Sequence, residues 1–355
     1  MEINSIYCGD CKDVMKNFPG ECVDLIYLDP PFFSQKKYED FWIVDKISKV
    51  GFSDKDWEKL RSSIEPNILK QYEDIEKRWK GGHKGIYVYI AYMRERLEQC
   101  WRVLKPTGSI YLHCDWHAGH YLKVMMDEVF GYNNFQNEVV WYYTAGARGK
   151  HNWARKHDTI LFYTKSNKWI FNWKDVAEPF ESGMTEWRYT KGGQKGKEMP
   201  IGRVPADVFQ IQILNTMADE RLGYPTQKPE ALLEKIIKAS SNEGDLVLDP
   251  FCGCGTTIAV AKRLKRNFIG IDISRTACDV MNKRLGGLVK IIGGETEEEL
   301  KNMPPHEFAR FIIVEKLQGT VNPKKSGDMG IDGWSDLEMF PSVSSGGSTK
   351  SADQR

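Results

Sequence analysis

The stretch from Val23 to Phe32 constrains the fold more than any other. Val23 to Leu28 is apolar apart from Asp24 and reads as a strand buried on both faces, as in a parallel sheet. It stops at Asp29-Pro30-Pro31-Phe32, where two successive prolines cannot continue a central strand, so the loop sits at the strand's carboxyl end. The pattern returns late in the chain. Leu246 to Leu248 is a short apolar run that stops at Asp249-Pro250-Phe251-Cys252-Gly253-Cys254-Gly255-Thr256-Thr257. A helix from about Ile258 to Leu264, a strand from Asn267 to Ile271 ending at Asp272, and a helix from Ser274 to Leu285 follow. At the other end, Asn4 to Cys8 runs into Gly9-Asp10, and a helix over Cys11 to Phe18 stops at Pro19-Gly20. This alternation at both ends predicts an α/β fold with a doubly wound, mostly parallel sheet.

Between the two ends, the spacing predicts a helix over Ile86 to Leu104, a turn at Lys105-Pro106-Thr107-Gly108 and a strand over Ser109 to His113. A helix over Tyr121 to Phe130 and strands over Val139 to Tyr143 and Thr159 to Thr164 come next. Lys165 to Leu222 reads as irregular, and Pro229 introduces a helix over Glu230 to Ser240. Asp54 to Lys80 is charged and helix-prone, an insertion. The Ser/Gly/Lys-rich tail from Val343 reads as disordered.

The composition is that of a soluble globular protein, with 41% hydrophobic and 28% charged residues. No stretch approaches a membrane span, and Met1 to Cys8 lacks the basic start and apolar run of a secretion signal. Eight cysteines without a framework spacing fit a reducing compartment, so a cytoplasmic location is expected. The net charge is only +1, but Ala145 to Arg203 holds 12 Lys or Arg against 6 Asp or Glu. That segregation allows either a basic face for nucleic acid or an ordinary solvated region.

Two loops carry chemistry. In the later one, Gly253 and Gly255 let the backbone approach a ligand, and Asp272 falls 23 residues after Asp249. That is near the roughly 20-residue spacing at which an acid accepts ribose hydroxyls in dinucleotide folds. No Lys follows the glycines to meet a phosphate; Asp249 suits a cationic ligand such as an ammonium group. In the earlier loop, the Asp29 carboxylate and the Pro30 carbonyl are two acceptors for the two N–H bonds of an exocyclic amine, and Phe32 can stack on a base. Either loop alone is more often an ordinary turn.

Together, LDPPF at 28–32 and DPFCGCGTT at 249–257 resemble the amino-group DNA methyltransferases, which modify adenine N6 or cytosine N4. The resemblance covers roughly residues 5 to 290, in the family's beta-type order with the catalytic motif first. It implies a circularly permuted, Rossmann-like S-adenosylmethionine-dependent methyltransferase fold with a small target-recognition region. The catalytic and cofactor domain would comprise residues 1–35, 85–165 and 224–290, with a helical insertion at 36–84, target recognition at 166–223 and an extension at 291–355. Asp29, Pro30, Pro31 and Phe32 would form the catalytic loop. Asp10, Thr226, Lys228, Asp249, Phe251, Gly253, Gly255, Thr256, Thr257 and Asp272 would line S-adenosylmethionine. Arg148, Lys150, Arg155, Lys156, Arg188, Lys195 and Arg203 are the candidate DNA contacts. The expected partners are double-stranded DNA with a flipped base, a cognate restriction endonuclease and a second copy of the chain, with no membrane. Asp at position 29 leans toward adenine in this family, and N4-cytosine remains the alternative.

Other readings are weaker. Cys8-x2-Cys11 has no partner pair for zinc, and a metal at His113, Asp115, His117 and His120 ranks below a surface or hydrogen-bonding role. No metal is expected. A C5-cytosine mechanism would need a Pro-Cys nucleophile, absent from this loop. RNA or protein amine methylation usually places an Asn-Pro-Pro loop after the cofactor motif, and a non-catalytic DNA-binding subunit would show degraded loops. Residues Pro304 to Gly333 resemble the opening of a nuclease domain, but no acidic-x-Lys strand follows Asp332, so no nuclease activity is expected.

Overall fold

The computed structural model describes residues 1–31, 85–145, 151–180, 191–194, 197, 201–215, 218, 220–222, 224 and 227–294, and three strands at 320–321, 331–334 and 339–341. The insertion expected at 36–84, Phe32 and most of the nuclease-like stretch lie outside the described residues. The chain divides into two units, Met1–Ile292 and Gly293–Arg355.

The first unit is built on nine strands: β1 (Ser5–Cys8), β2 (Val23–Leu28), β3 (Leu104–Cys114), β4 (Phe135–Tyr142), β5 (His157–Thr164), β6 (Val208–Gln210), β7 (Leu246–Asp249), β8 (Asn267–Asp272) and β9 (Ile291–Gly293). Their order is β6-β4-β5-β3-β2-β7-β8-β1-β9. From β3 to β1 every neighbouring pair is parallel, whereas β5 is antiparallel to both β3 and β4. Among the described residues six α-helices accompany them: α1 (Cys11–Lys16), α2 (Gly85–Val103), α3 (Gly119–Met126), α4 (Glu230–Ser240), α5 (Thr256–Arg263) and α6 (Arg275–Arg284).

The helices flank the sheet in two sets. Ile26 and Leu28 of β2 pack with Met15 of α1, Met93 and Leu97 of α2 and Leu122 of α3. Leu25 and Tyr27, pointing the opposite way, pack with Leu233 of α4, Ile258 of α5 and Met281 of α6. Two apolar layers on one sheet explain why β2 and β7 are buried throughout. This is the doubly wound arrangement expected from the sequence.

Three details differ from the expectation. The turn at 105–108 lies inside β3, as a bulge: Val23 pairs with Leu104, yet Leu25 pairs with Ser109. The helix expected to reach Phe130 widens into a π-helical turn over Asp127–Gly131. Lys165 to Leu222 is not wholly irregular, because β6 runs parallel to the end of β4. The second unit holds a separate antiparallel sheet of β10 (Thr320–Val321), β11 (Ile331–Trp334) and β12 (Met339–Pro341).

Candidate active site

The pairing pattern gathers both loops on one rim of the sheet. Because β2, β3, β7 and β8 are parallel, Asp29, Asp115, Asp249 and Asp272 all emerge at the carboxyl end. β5 runs the other way, so its first residues, His157 and Asp158, reach the same rim. Open α/β sheets place ligands there, at the point where strand order reverses. Here that point lies between β2 and β7.

The later loop is shaped by its own acids. The Asp249 carboxylate is buried; it accepts from the Thr257 hydroxyl at 2.6 Å and from the Phe251 N–H at 3.0 Å. Burial pushes its pKa up to about 7, against the lowering effect of those two hydrogen bonds. Asp272 accepts from the Gly253 N–H at 2.8 Å and the Ser274 N–H at 2.9 Å, and burial raises it too. Gly255 turns the chain into α5 with φ +78°, and a Cβ there would come within 2.4 Å of Met281 Cγ. Thr256 Oγ1 accepts from Arg284 at 2.9 Å. Cys252 and Cys254, on either side of Gly253, are buried.

Asp10 joins this end of the crevice through β1, which pairs Cys8 with Asp272, while the Gly9 N–H bonds the Asp272 carbonyl at 2.9 Å. Asp10 caps α1 by accepting the Lys12 N–H at 2.9 Å and accepts from Arg96 at 2.5 Å. Arg96 is buried, and its Nε has no hydrogen-bond partner among the described residues. Tyr224 stands over the loop, 3.4 Å from where a Gly253 Cβ would lie.

The earlier loop is braced from two sides. Lys228 forms an ion pair with Asp29 Oδ2, which brings the segment before α4 onto the Asp29-Pro30-Pro31 loop. On the other side, His113 Nδ1 lies 3.7 Å from Asp29 Oδ1 and 2.8 Å from the Tyr27 hydroxyl. His113 Nε2 lies 3.4 Å from Asp158 Oδ2, and Asp158 Oδ1 accepts from the Tyr143 hydroxyl at 3.2 Å. Burial pushes the Asp158 carboxyl up, but the His113 hydrogen bond and charge, with Lys228 and Tyr143, outweigh it and hold it below its usual range. Pro30 is buried and Pro31 half-buried.

The histidine cluster therefore separates. His113 is fully buried in the network, whereas His117 pairs with Asp115 at 2.5 Å on the rim. Among the described residues no group of three His, Cys, Asp or Glu could hold a metal. Of the candidate DNA contacts, Arg155 lies over the exposed Trp116 ring at 3.9 Å. Lys156 donates to the Thr144 and Ala145 carbonyls, and Arg203 pairs with Glu178 at 3.3 Å. Thr226, Arg148, Lys150, Arg188 and Lys195 lie outside the described residues. Sequence reasoning missed Tyr27, Asp158, Tyr143, Arg96 and Tyr224. Asp158 sits directly after the Arg155-Lys156-His157 run, a signal that pointed only to the start of a strand.

A doubly wound sheet that brings Asp29-Pro30-Pro31 beside a glycine-turned loop at the strands' carboxyl ends has the layout of a ligand-binding α/β enzyme. Residues 23–283 match the DNA methylase family of N6 and N4 amino methyltransferases, and the chain belongs to that family. It is 31% identical over 309 residues to the type II methyltransferase M.HpaI of Haemophilus parainfluenzae, covering 87% of this chain and 82% of that one. It is 30% identical over 277 residues to the DNA adenine methyltransferase YhdJ of Escherichia coli K12, covering 77% and 79%. The fold matches that of the PvuII DNA methyltransferase (cytosine-N4-specific), with a TM-score of 0.53 at 17% identity over 85% of this chain and 91% of that one. The protein is thus a DNA methyltransferase that uses S-adenosylmethionine. The residues present suit that cofactor: the Asp249 and Asp272 carboxylates accept backbone N–H groups of the glycine loop, and Asp10 follows the strand end that pairs with Asp272. No helix among the described residues is long and apolar enough to cross a membrane.

Proposed function

We propose that the chain methylates adenine N6 in duplex DNA as the modification half of a type II restriction–modification pair. The observation that carries this reading is the placement of Asp29 and Pro30 at the carboxyl end of β2, beside the glycine loop that follows β7. S-adenosylmethionine, when bound, supplies a methyl group already activated on sulfur. The protein's part is to hold and orient. Asp29 and the Pro30 carbonyl accept the two amine hydrogens and turn the nitrogen lone pair toward the methyl group, with Pro31 fixing the backbone and Phe32 stacking on the base. Asp272 and Asp10 address the ribose and adenine of the cofactor. Gly253, Gly255, Phe251, Thr226 and Lys228 line its remaining length, and Asp249, Thr256 and Thr257 keep the loop in shape.

Asp rather than Ser at position 29 favours adenine, as does the likeness to a DNA adenine methyltransferase. The target base leaves the duplex to reach this crevice. Arg155 and Lys156 on the rim, with Arg148, Lys150, Arg188, Lys195 and Arg203, hold the phosphates, and a cognate endonuclease shares the recognition sequence.

The test is transfer of labelled methyl to unmethylated duplex DNA, with the product digested to nucleosides and weighed. N6-methyladenine is expected, with a loss of at least about 100-fold in Asp29→Ala. N4-methylcytosine would keep the site and reverse the base.

A further inference from the structure

We propose that His113 is a positioning residue that removes from Asp29 the proton released by the methylated amine and shares it with Asp158. This deepens, and rests on, the reading of Asp29 as the group that holds the target amine. Methylating an amine leaves a nitrogen with one proton too many, and Asp29 is the acceptor in contact with it. An enzyme that left the proton on Asp29 would have to discharge it before the next turnover.

The geometry supplies the next acceptor. Asp158 is a carboxylate and only accepts, so Nε2 of neutral His113 carries the hydrogen toward it, and Nδ1 presents its lone pair. That lone pair takes the Tyr27 hydroxyl at 2.8 Å and lies 3.7 Å from Asp29 Oδ1. The ring is fully buried, with its plane at 82° to Trp141 and ring centres 5.5 Å apart, so it cannot swing away.

The step balances within these residues. An N–H bond of the methylated amine breaks, its electron pair stays on nitrogen, and an O–H bond forms at Asp29 Oδ1. That O–H then breaks, and Nδ1–H forms from the imidazole lone pair. The Tyr27 O–H withdraws, and its oxygen is placed to accept from Nδ1–H. The imidazolium stands between the Asp29 and Asp158 carboxylates and returns a proton to bulk water between turnovers. The groups that bear on it are Tyr27 on β2 and Asp29 just after it, Asp158 on β5 with Tyr143 after β4, Lys228 before α4, and Asp249 at the end of β7, which acts on Tyr27.

The experiment compares the first turnover with the steady-state rate of duplex-DNA methylation by the full chain and by His113→Gln. Cofactor affinity measured by calorimetry reports folding. In His113→Gln, cofactor affinity and the first turnover should persist while the steady-state rate drops about 100-fold, leaving a burst of one methyl group per enzyme. A variant with the wild-type steady-state rate, or one slowed equally in its first turnover, overturns the proposal. Where His113→Gln does not fold, Asp158→Asn serves: it should keep its first turnover and lose steady-state rate, and an unchanged steady-state rate overturns the relay. Asp29→Ala separates the two ideas. If it transfers methyl normally, the amine-holding reading fails and the relay with it. If it is inactive while His113→Gln is unchanged, only the relay fails.

Discussion

Asp249 is a carboxylate held where water scarcely reaches it, and that has a consequence for stability. Burial raises its pKa from 3.8 to about 7, the Thr257 and Phe251 bonds offsetting part of the cost. The folded chain therefore keeps this proton more firmly than the unfolded chain. The associated stability is fully present below about pH 4 and is lost as pH rises to about 7. Asp272 is raised by burial and acts in the same direction. Asp158, held low, acts oppositely: its contribution is present above the ordinary carboxylate range and lost as pH falls below it. Melting temperatures of wild type and Asp249→Asn between pH 5 and 8 check the first effect. The wild type should lose stability across that range and the variant markedly less; parallel curves would place the cost elsewhere.

Among the elements, β2 shows how a charged residue is kept inside a sheet. Asp24 is buried; it accepts from Lys105 at 2.8 Å and from the Leu246 N–H at 2.9 Å, which ties β2 to the bulge in β3 and to the start of β7. Asp24→Ala should cost about 2 kcal/mol, because the Leu246 N–H is left buried without its acceptor. A fall in the urea midpoint with an unchanged slope would show it, and an unmoved midpoint would contradict it. β2 also shows what the sequence discloses. Its ends were legible because Pro30 and Pro31 restrict the backbone locally, and the loop after β7 was legible because Gly253 and Gly255 do. The His113–Asp158 contact was not, since two residues far apart in sequence meet only through the antiparallel register of β3 and β5. β6 escaped notice because three residues carry no period, and they form a strand only against β4.

Taken whole, the chain confines its large sheet and both motif loops to the unit ending at Ile292. A chain stopping at residue 294 should therefore bind cofactor and melt within about 2 °C of the full protein, since it retains its own core. A shortened chain that is insoluble or melts much lower would make the remaining residues part of that core. Within the first unit, the parallel pairing has a further outcome during synthesis. Ser5 pairs with Ile269 and Ile26 with Leu248, so β1 and β2 lie beside strands made more than about 200 residues after them. While the ribosome is still translating, β1 and β2 emerge with apolar faces and unpaired edges that have no local partner. The crevice forms only after translation has passed β8, which leaves a long interval in which the apolar faces of β1 and β2 wait for strands not yet made.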